Sequence, residues 1–118
     1  MNTITKLNVI GAMTDFVETG AGNYWGVVRN VVRDDDAWVI SFEVREEEFD
    51  DPIVSGPLWH KITPQIFLDA VNELKRNPAK YKVSPHYGDW YKGDEWNNDA
   101  DSDDIVVQIA ALGEVVYG

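Results

Sequence analysis

Residues 24–44, YWGVVRNVVRDDDAWVISFEV, decide the fold. Residues 24–32 and 37–44 are dense in β-branched and aromatic side chains, the types that pack on a pleated sheet. Asp34, Asp35 and Asp36 lie between them, and Asp side chains stabilise turns by bonding to backbone two residues on. The stretch therefore predicts an antiparallel hairpin. Further along, Asp51-Pro52 and Gly56-Pro57 break the chain before a shorter third strand predicted over residues 57–62.

Outside this β region the apolar spacing becomes helical. Leu7, Ile10, Met13 or Thr14, and Val17 predict a helix over residues 4–18, ended by Gly20 and Gly22. Thr63-Pro64 reads as an N-cap followed by a first-turn proline. Ile66, Phe67, Ala70, Val71 and Leu74 then mark one face of a second helix that stops near Arg76, ahead of Pro78. Residues 79–100 hold neither period and read as a long loop. A third helix begins at Asp101 or Ser102 and carries Ile105, Val106, Ile109 and Leu112. Asp103 and Asp104 suit its positive end and Gly113 is its stop. Helix, three strands and two helices leave no βαβ alternation. The expected class is α+β, a small antiparallel three-stranded sheet with about three helices packed against it, as one domain over residues 1–118.

Bulk properties agree with one core. For 118 residues and 13.4 kDa, surface scaling buries about two thirds of the unfolded chain's area. The hydrophobic content of 44%, with five Trp and five Tyr, argues against disorder despite a net charge of -11. There is no cysteine, which excludes disulfides and thiolate metal sites and makes the cytoplasm the expected compartment. Residues 1–13 carry one Lys among polar interruptions, so they read as neither signal peptide nor membrane span. Anionic lipid and nucleic acid both repel such a chain, so neither is an expected direct partner.

The charge is not evenly spread. Residues 34–51 hold nine acids and one base, and residues 89–104 hold seven acids and one base, so the rest of the chain is net positive. In extended chain Glu46, Glu48 and Asp50 would share a face about 6.7 Å apart, comparable to neighbouring phosphates. Such a row suits either a solvated loop or a surface that imitates a phosphate backbone. In the second segment Tyr87, Trp90, Tyr91 and Trp96 alternate with Asp89, Asp94 and Glu95. These rings serve either as binding anchors or as a cover for the core.

Catalytic and metal motifs fail on inspection. Asp99, Asp101 and Asp103 match the opening of a calcium loop, but Asp104 stands where Gly is needed and Ala110 where the bidentate Glu belongs. His60 and His86 lack ligand spacing. Gly20, Gly22 and Gly26 precede a strand and follow a helix, the reverse of a phosphate loop. Ser41, Ser55, Ser84 and Ser102 form no nucleophile elbow. The expectation is a non-enzyme with no catalytic residue, metal or cofactor.

Asn23-Tyr24-Trp25-Gly26, Ile62-Thr63-Pro64 and the helix face after it, and above all Asp99-Ala100-Asp101, Asp104-Ile105-Val106-Val107-Gln108 and Gly113-Glu114-Val115-Val116-Tyr117-Gly118 resemble a group of small uncharacterised acidic proteins encoded by phages, prophages and plasmids. About a third of the chain carries the resemblance. It implies a mobile-element origin and, by analogy, an inhibitor of host defence such as CRISPR or restriction. The leading expectation is a protein-binding inhibitor or DNA mimic. Glu46, Glu47, Glu48, Asp50, Asp51, Asp89, Trp90, Tyr91, Asp94, Glu95 and Trp96 would meet a host protein with a basic, nucleic-acid-binding surface. The alternatives are a sugar or nucleotide site on Trp90, Tyr91 and Trp96, and a phage assembly component forming a homodimer through leftover apolar faces.

Overall fold

The computed structural model describes residues 1–20, 25–34, 36–46 and 59–117. Helix α1 spans Thr3–Thr19. Asn2 caps it by accepting the Thr5 N–H at 2.8 Å, and Gly20 closes it in the left-handed region. Its buried face is Val9, Ala12, Met13 and Phe16, whereas Leu7, expected on that face, is 44% exposed. The helix is apolar on more than one side, so its period alone does not select the face that meets the core.

Strands β1 (Gly26–Asp34) and β2 (Val39–Glu46) form the expected hairpin, each ending two residues later than its sequence reading. The turn explains this extension. Asp34 Oδ1 accepts the Asp36 and Ala37 N–H groups at 3.1 Å each, which closes the turn after Asp34 and leaves Asp34 paired with Val39. The register shifts between Arg29 and Val32, where Asn30 takes a positive φ of 51°; Asn tolerates this conformation better than most residues. Strand β3 is only His60–Ile62 and pairs with β2, so β2 is the central strand of an antiparallel β1-β2-β3 sheet. The first two residues predicted for it, 57 and 58, lie outside the described residues.

Alternation on β2 sends Ile40, Phe42 and Val44 to one face, and all three are buried. Phe16 of α1 stacks on Phe42 at 5.3 Å. Helix α2 (Pro64–Arg76) starts from the Thr63 cap and buries Phe67, Ala70, Val71 and Leu74 against the same core, whereas Ile66, expected on that face, lies in the first turn at its edge and is 39% exposed. The region read as one long loop contains a 3-10 turn, Pro78–Tyr81, and a one-turn helix α3, His86–Asp89. Elements this short have no apolar period to detect.

Helix α4, Ala100–Leu112, begins one residue before the expected range. Asp99 accepts the Ser102 N–H at 2.8 Å while Ser102 Oγ accepts the Asp99 N–H at 3.0 Å, forming a capping box. From Ser102 to Ile109 every residue is buried, and the helix packs on α1, α2 and β3. The result is α+β: among the described residues, a three-stranded antiparallel sheet with three longer helices and one short one.

Two glycines should respond oppositely to alanine. Gly11 lies exposed inside α1 with nothing within 4 Å of an added Cβ, so Gly11→Ala should stabilise the protein by roughly 0.5–1 kcal/mol. Gly113 is equally uncrowded but has φ +74°, so Gly113→Ala should destabilise by about 1 kcal/mol. Urea unfolding of both variants measures the pair, and shifts of the same sign would contradict these assignments.

Candidate partner-binding surface and cleft

The site residues expected from sequence fall into three groups. Glu47, Glu48, Asp50 and Asp51 lie outside the described residues. Glu46 ends β2 and is half-buried, with its Oε2 accepting the Tyr117 hydroxyl at 3.0 Å. The remainder run from Asp89, the last residue of α3, to Trp96 ahead of α4, where rings and carboxylates separate.

The rings turn inward. Tyr91 is buried, donating its hydroxyl to Asp103 Oδ1 at 2.7 Å, and Trp96 packs edge-to-face with it, ring centroids 5.1 Å apart. Trp90 is half-buried and edge-on to Tyr87 at 5.3 Å. Tyr91 is therefore corrected from a partner contact to a core residue, because its hydroxyl finds its acceptor inside the fold. The segment is tied down further by Asn8 Nδ2 donating to the Asp94 carbonyl at 2.9 Å and by Asn97 N–H donating to the Trp90 carbonyl at 2.8 Å.

The carboxylates stay outside. Asp89, Asp94, Glu95, Asp99 and Asp101 are exposed. Asp89 is bonded to Lys92 at 2.6 Å, and this contact holds its carboxyl below the usual range. Every Lys, Arg and His of the chain lies within the described residues, yet none comes within 4.0 Å of the Asp94, Glu95 or Asp101 carboxylates.

Beneath this segment lies a polar arrangement that the sequence reading missed. Asp103 and Asp104, expected as solvated charges at a helix end, are 1% and 5% exposed. Asn98 Nδ2 donates to both Asp103 oxygens, at 2.9 and 3.0 Å, and Tyr91 adds the third bond. Burial pushes Asp103 up to about 7, a rise opposed by the bonds from Tyr91 and Asn98 and reinforced by the charges of Asp15 and Asp99. Burial, with the Asp103 charge beside it, also pushes the Tyr91 hydroxyl up. On the neighbouring side of α4, Trp25 Nε1 donates to Asp104 Oδ1 at 2.5 Å and Gln108 Nε2 donates to Asp104 Oδ2 at 3.0 Å. Gln108 also clasps the C-terminal tail: its Oε1 accepts the Val116 and Tyr117 N–H groups and its Nε2 donates to the Tyr117 carbonyl. The Tyr117 ring stacks on Trp25 at 5.5 Å.

Between α4, this tail and the turn after Tyr81 is a cleft of about 800 Å³, lined by Asp101, Asp104, Lys82, Tyr87 and Tyr117 among others. A different chemistry occupies the outer sheet face. There Arg29 pairs across to Glu43, which pairs to Lys61. Trp59 lies under the Arg29 guanidinium at 3.7 Å and near that of Arg45 at 5.1 Å. Strand alternation of Ser41, Glu43 and Arg45 was the available signal for this face. Among the described residues no three His, Asp or Glu side chains gather as a metal site, and no helix is long and apolar enough to cross a membrane.

Compared with protein families, curated proteins and solved structures, the chain matches none.

The Asp103 arrangement fixes a pH dependence. An unfolded chain releases this proton near 3.8, whereas the folded one holds it to about 7. Unfolding therefore sheds a proton between those values, and stability falls as pH rises through the window, by at most about 1.4 kcal/mol per pH unit. Below 3.8 both states are protonated and the dependence vanishes. Asp103→Asn should flatten the decline in urea midpoint between pH 5 and 7.5; parallel declines in both proteins would show that Asp103 is not its source.

Proposed function

We propose that this chain is a non-catalytic accessory protein of a phage or related mobile element that binds, in the host cytoplasm, a host protein whose basic surface normally meets nucleic acid. Blocking a defence effector of the CRISPR or restriction type, as a DNA mimic, is the activity this reading favours. The observation that carries it is the set of exposed Asp94, Glu95 and Asp101 carboxylates without a cationic neighbour, in a chain of net charge -11. Unpaired surface charge of one sign costs stability through self-repulsion and steers an oppositely charged partner. The packed rings beneath support the same reading, because a tied-down segment loses less conformational freedom on binding than a loose one. Tyr91's burial speaks against the sugar or nucleotide site proposed on Trp90, Tyr91 and Trp96, since a ligand would have to displace core contacts.

Immobilised protein should capture nucleic-acid-binding proteins from host lysate at low salt. Capture should fall as the Debye length shrinks from about 10 Å at 0.1 M toward about 3 Å at 1 M, and excess duplex DNA should release the captured proteins. The triple variant Asp94→Asn, Glu95→Gln, Asp101→Asn, all at exposed positions, should capture several-fold less. Capture that ignores salt, DNA and the triple variant would rule out this mode of action.

A further inference from the structure

The cleft beside α4 carries a more specific assignment, which rests on the reading of a basic partner. Its walls combine three kinds of group. Asp101 and Asp104 stand three residues apart on α4, so both side chains lie toward the same side of the helix. Asp101 is exposed at the mouth with no Lys, Arg or His within 4.0 Å of its carboxylate, while Asp104 is buried at the wall, its Oδ1 accepting the Trp25 Nε1–H and its Oδ2 a Gln108 Nε2–H. Tyr87 and Tyr117 supply aromatic surface, and Val83, Ile105 and Val116 supply aliphatic surface.

We propose that this cleft is an anchor pocket for a guanidinium-bearing side chain: Asp101 receives the planar cation, the tyrosine rings flank it, and the valines and Ile105 take its aliphatic stem. Guanidinium fits better than ammonium because it is planar, weakly hydrated, stacks on aromatic faces and presents paired donors to a carboxylate. At about 800 Å³ the cleft falls within the range of ligand pockets and exceeds one arginine side chain. It therefore has room for residues flanking that arginine in a partner's loop. Lys82 also lines the rim and opposes a cation. With φ 56° it stands in the left-handed region, which Asn tolerates well. Removing its charge should thus strengthen binding without straining the turn.

The probe is agmatine, an alkyl guanidinium that also carries a distal ammonium, titrated into the full chain by NMR, with butylurea as a head of similar shape without charge and butylammonium as the control for the ammonium. Agmatine should bind with a dissociation constant on the order of 1 mM, shifting signals of Asp101, Ile105 and Val116, and neither butylurea nor butylammonium should; equal binding of butylammonium would overturn the guanidinium assignment. Asp101→Asn should weaken agmatine about tenfold or more, the scale of one charge-assisted hydrogen bond. Val116→Trp, which fills the cleft without altering charge, should abolish binding, whereas Lys82→Asn should tighten it a few-fold. Glu114→Gln, an equal charge loss at an exposed position outside the lining, should leave it unchanged; a preserved NMR spectrum verifies each variant's fold. Equal binding of butylurea, insensitivity to Val116→Trp, or equal losses in Asp101→Asn and Glu114→Gln would overturn the pocket. Salt- and DNA-sensitive capture of proteins with no agmatine binding would overturn the pocket alone. Agmatine binding with no such capture would leave the cleft as a guanidinium site and defeat the inhibitor reading.

Discussion

Helix α4 is buried along its length from Ser102 to Ile109, and it carries Asp103, Asp104 and Gln108 into the interior with it. A buried polar group left without a partner costs on the order of 1–3 kcal/mol, so these side chains dictate what must pack around them. Asp103 draws in Asn98 and Tyr91, which organises the segment leading into the helix. Asp104 draws in Trp25 at the entry to β1. Gln108 takes both backbone groups of Tyr117 much as a strand neighbour would, and so anchors the tail. Two irregular parts of the chain owe their placement to three polar residues of one helix.

The surface follows from the same constraint. Once Tyr91 is held by Asp103, Trp96 packs edge-to-face with it, and the polar residues between the rings are turned to solvent. Alternation of ring and acid in the sequence thus becomes a separation of rings below from carboxylates above. Part of the cationic charge sits elsewhere: Arg29, Arg45 and Lys61 share the outer face of the sheet with Trp59, while the helices cover the inner one. Lys92, the cation within the acidic segment, is taken by Asp89, which leaves Asp94, Glu95 and Asp101 without an ion pair.

The elements legible in the sequence were those whose signal is local and repeated. Thr63-Pro64 and the spacing of Phe67, Ala70, Val71 and Leu74 place α2 to the residue, because cap and apolar face coincide. The hairpin was legible from its side chains but its ends were not, since Asp34 serves the strand and the turn together. In α1 the period pointed to Leu7, which the structure leaves exposed, because several apolar faces compete. Asp103 and Asp104 misled most. A run of acids at a helix start ordinarily complements the macrodipole in water, and nothing local distinguishes that case from burial. Their partners Tyr91, Asn98 and Trp25 are 12, 5 and 79 residues away, distances over which sequence periodicity carries no information. The cleft was illegible for the same reason, being built from a helix, a turn and a tail that meet only in three dimensions.

A helix N-terminus ordinarily attracts anions, so the start of α4 beside the cleft raises a question of sign. The macrodipole contributes roughly half an elementary positive charge, concentrated on unsatisfied N–H groups of the first turn. Here the Ser102 N–H is taken by the Asp99 side chain and the Asp99 N–H by Ser102 Oγ in the capping box, which weakens the attraction at its source. What remains is set against the full charge of Asp101, which stands at the mouth of the cleft. A half charge cannot reverse a whole one at comparable distance. The opposing cation on the lining, Lys82, is exposed and screened by solvent, as Asp101 is. At the mouth of the cleft the charge balance is thus set by the side chains of Asp101 and Lys82, with the helix start a smaller contribution.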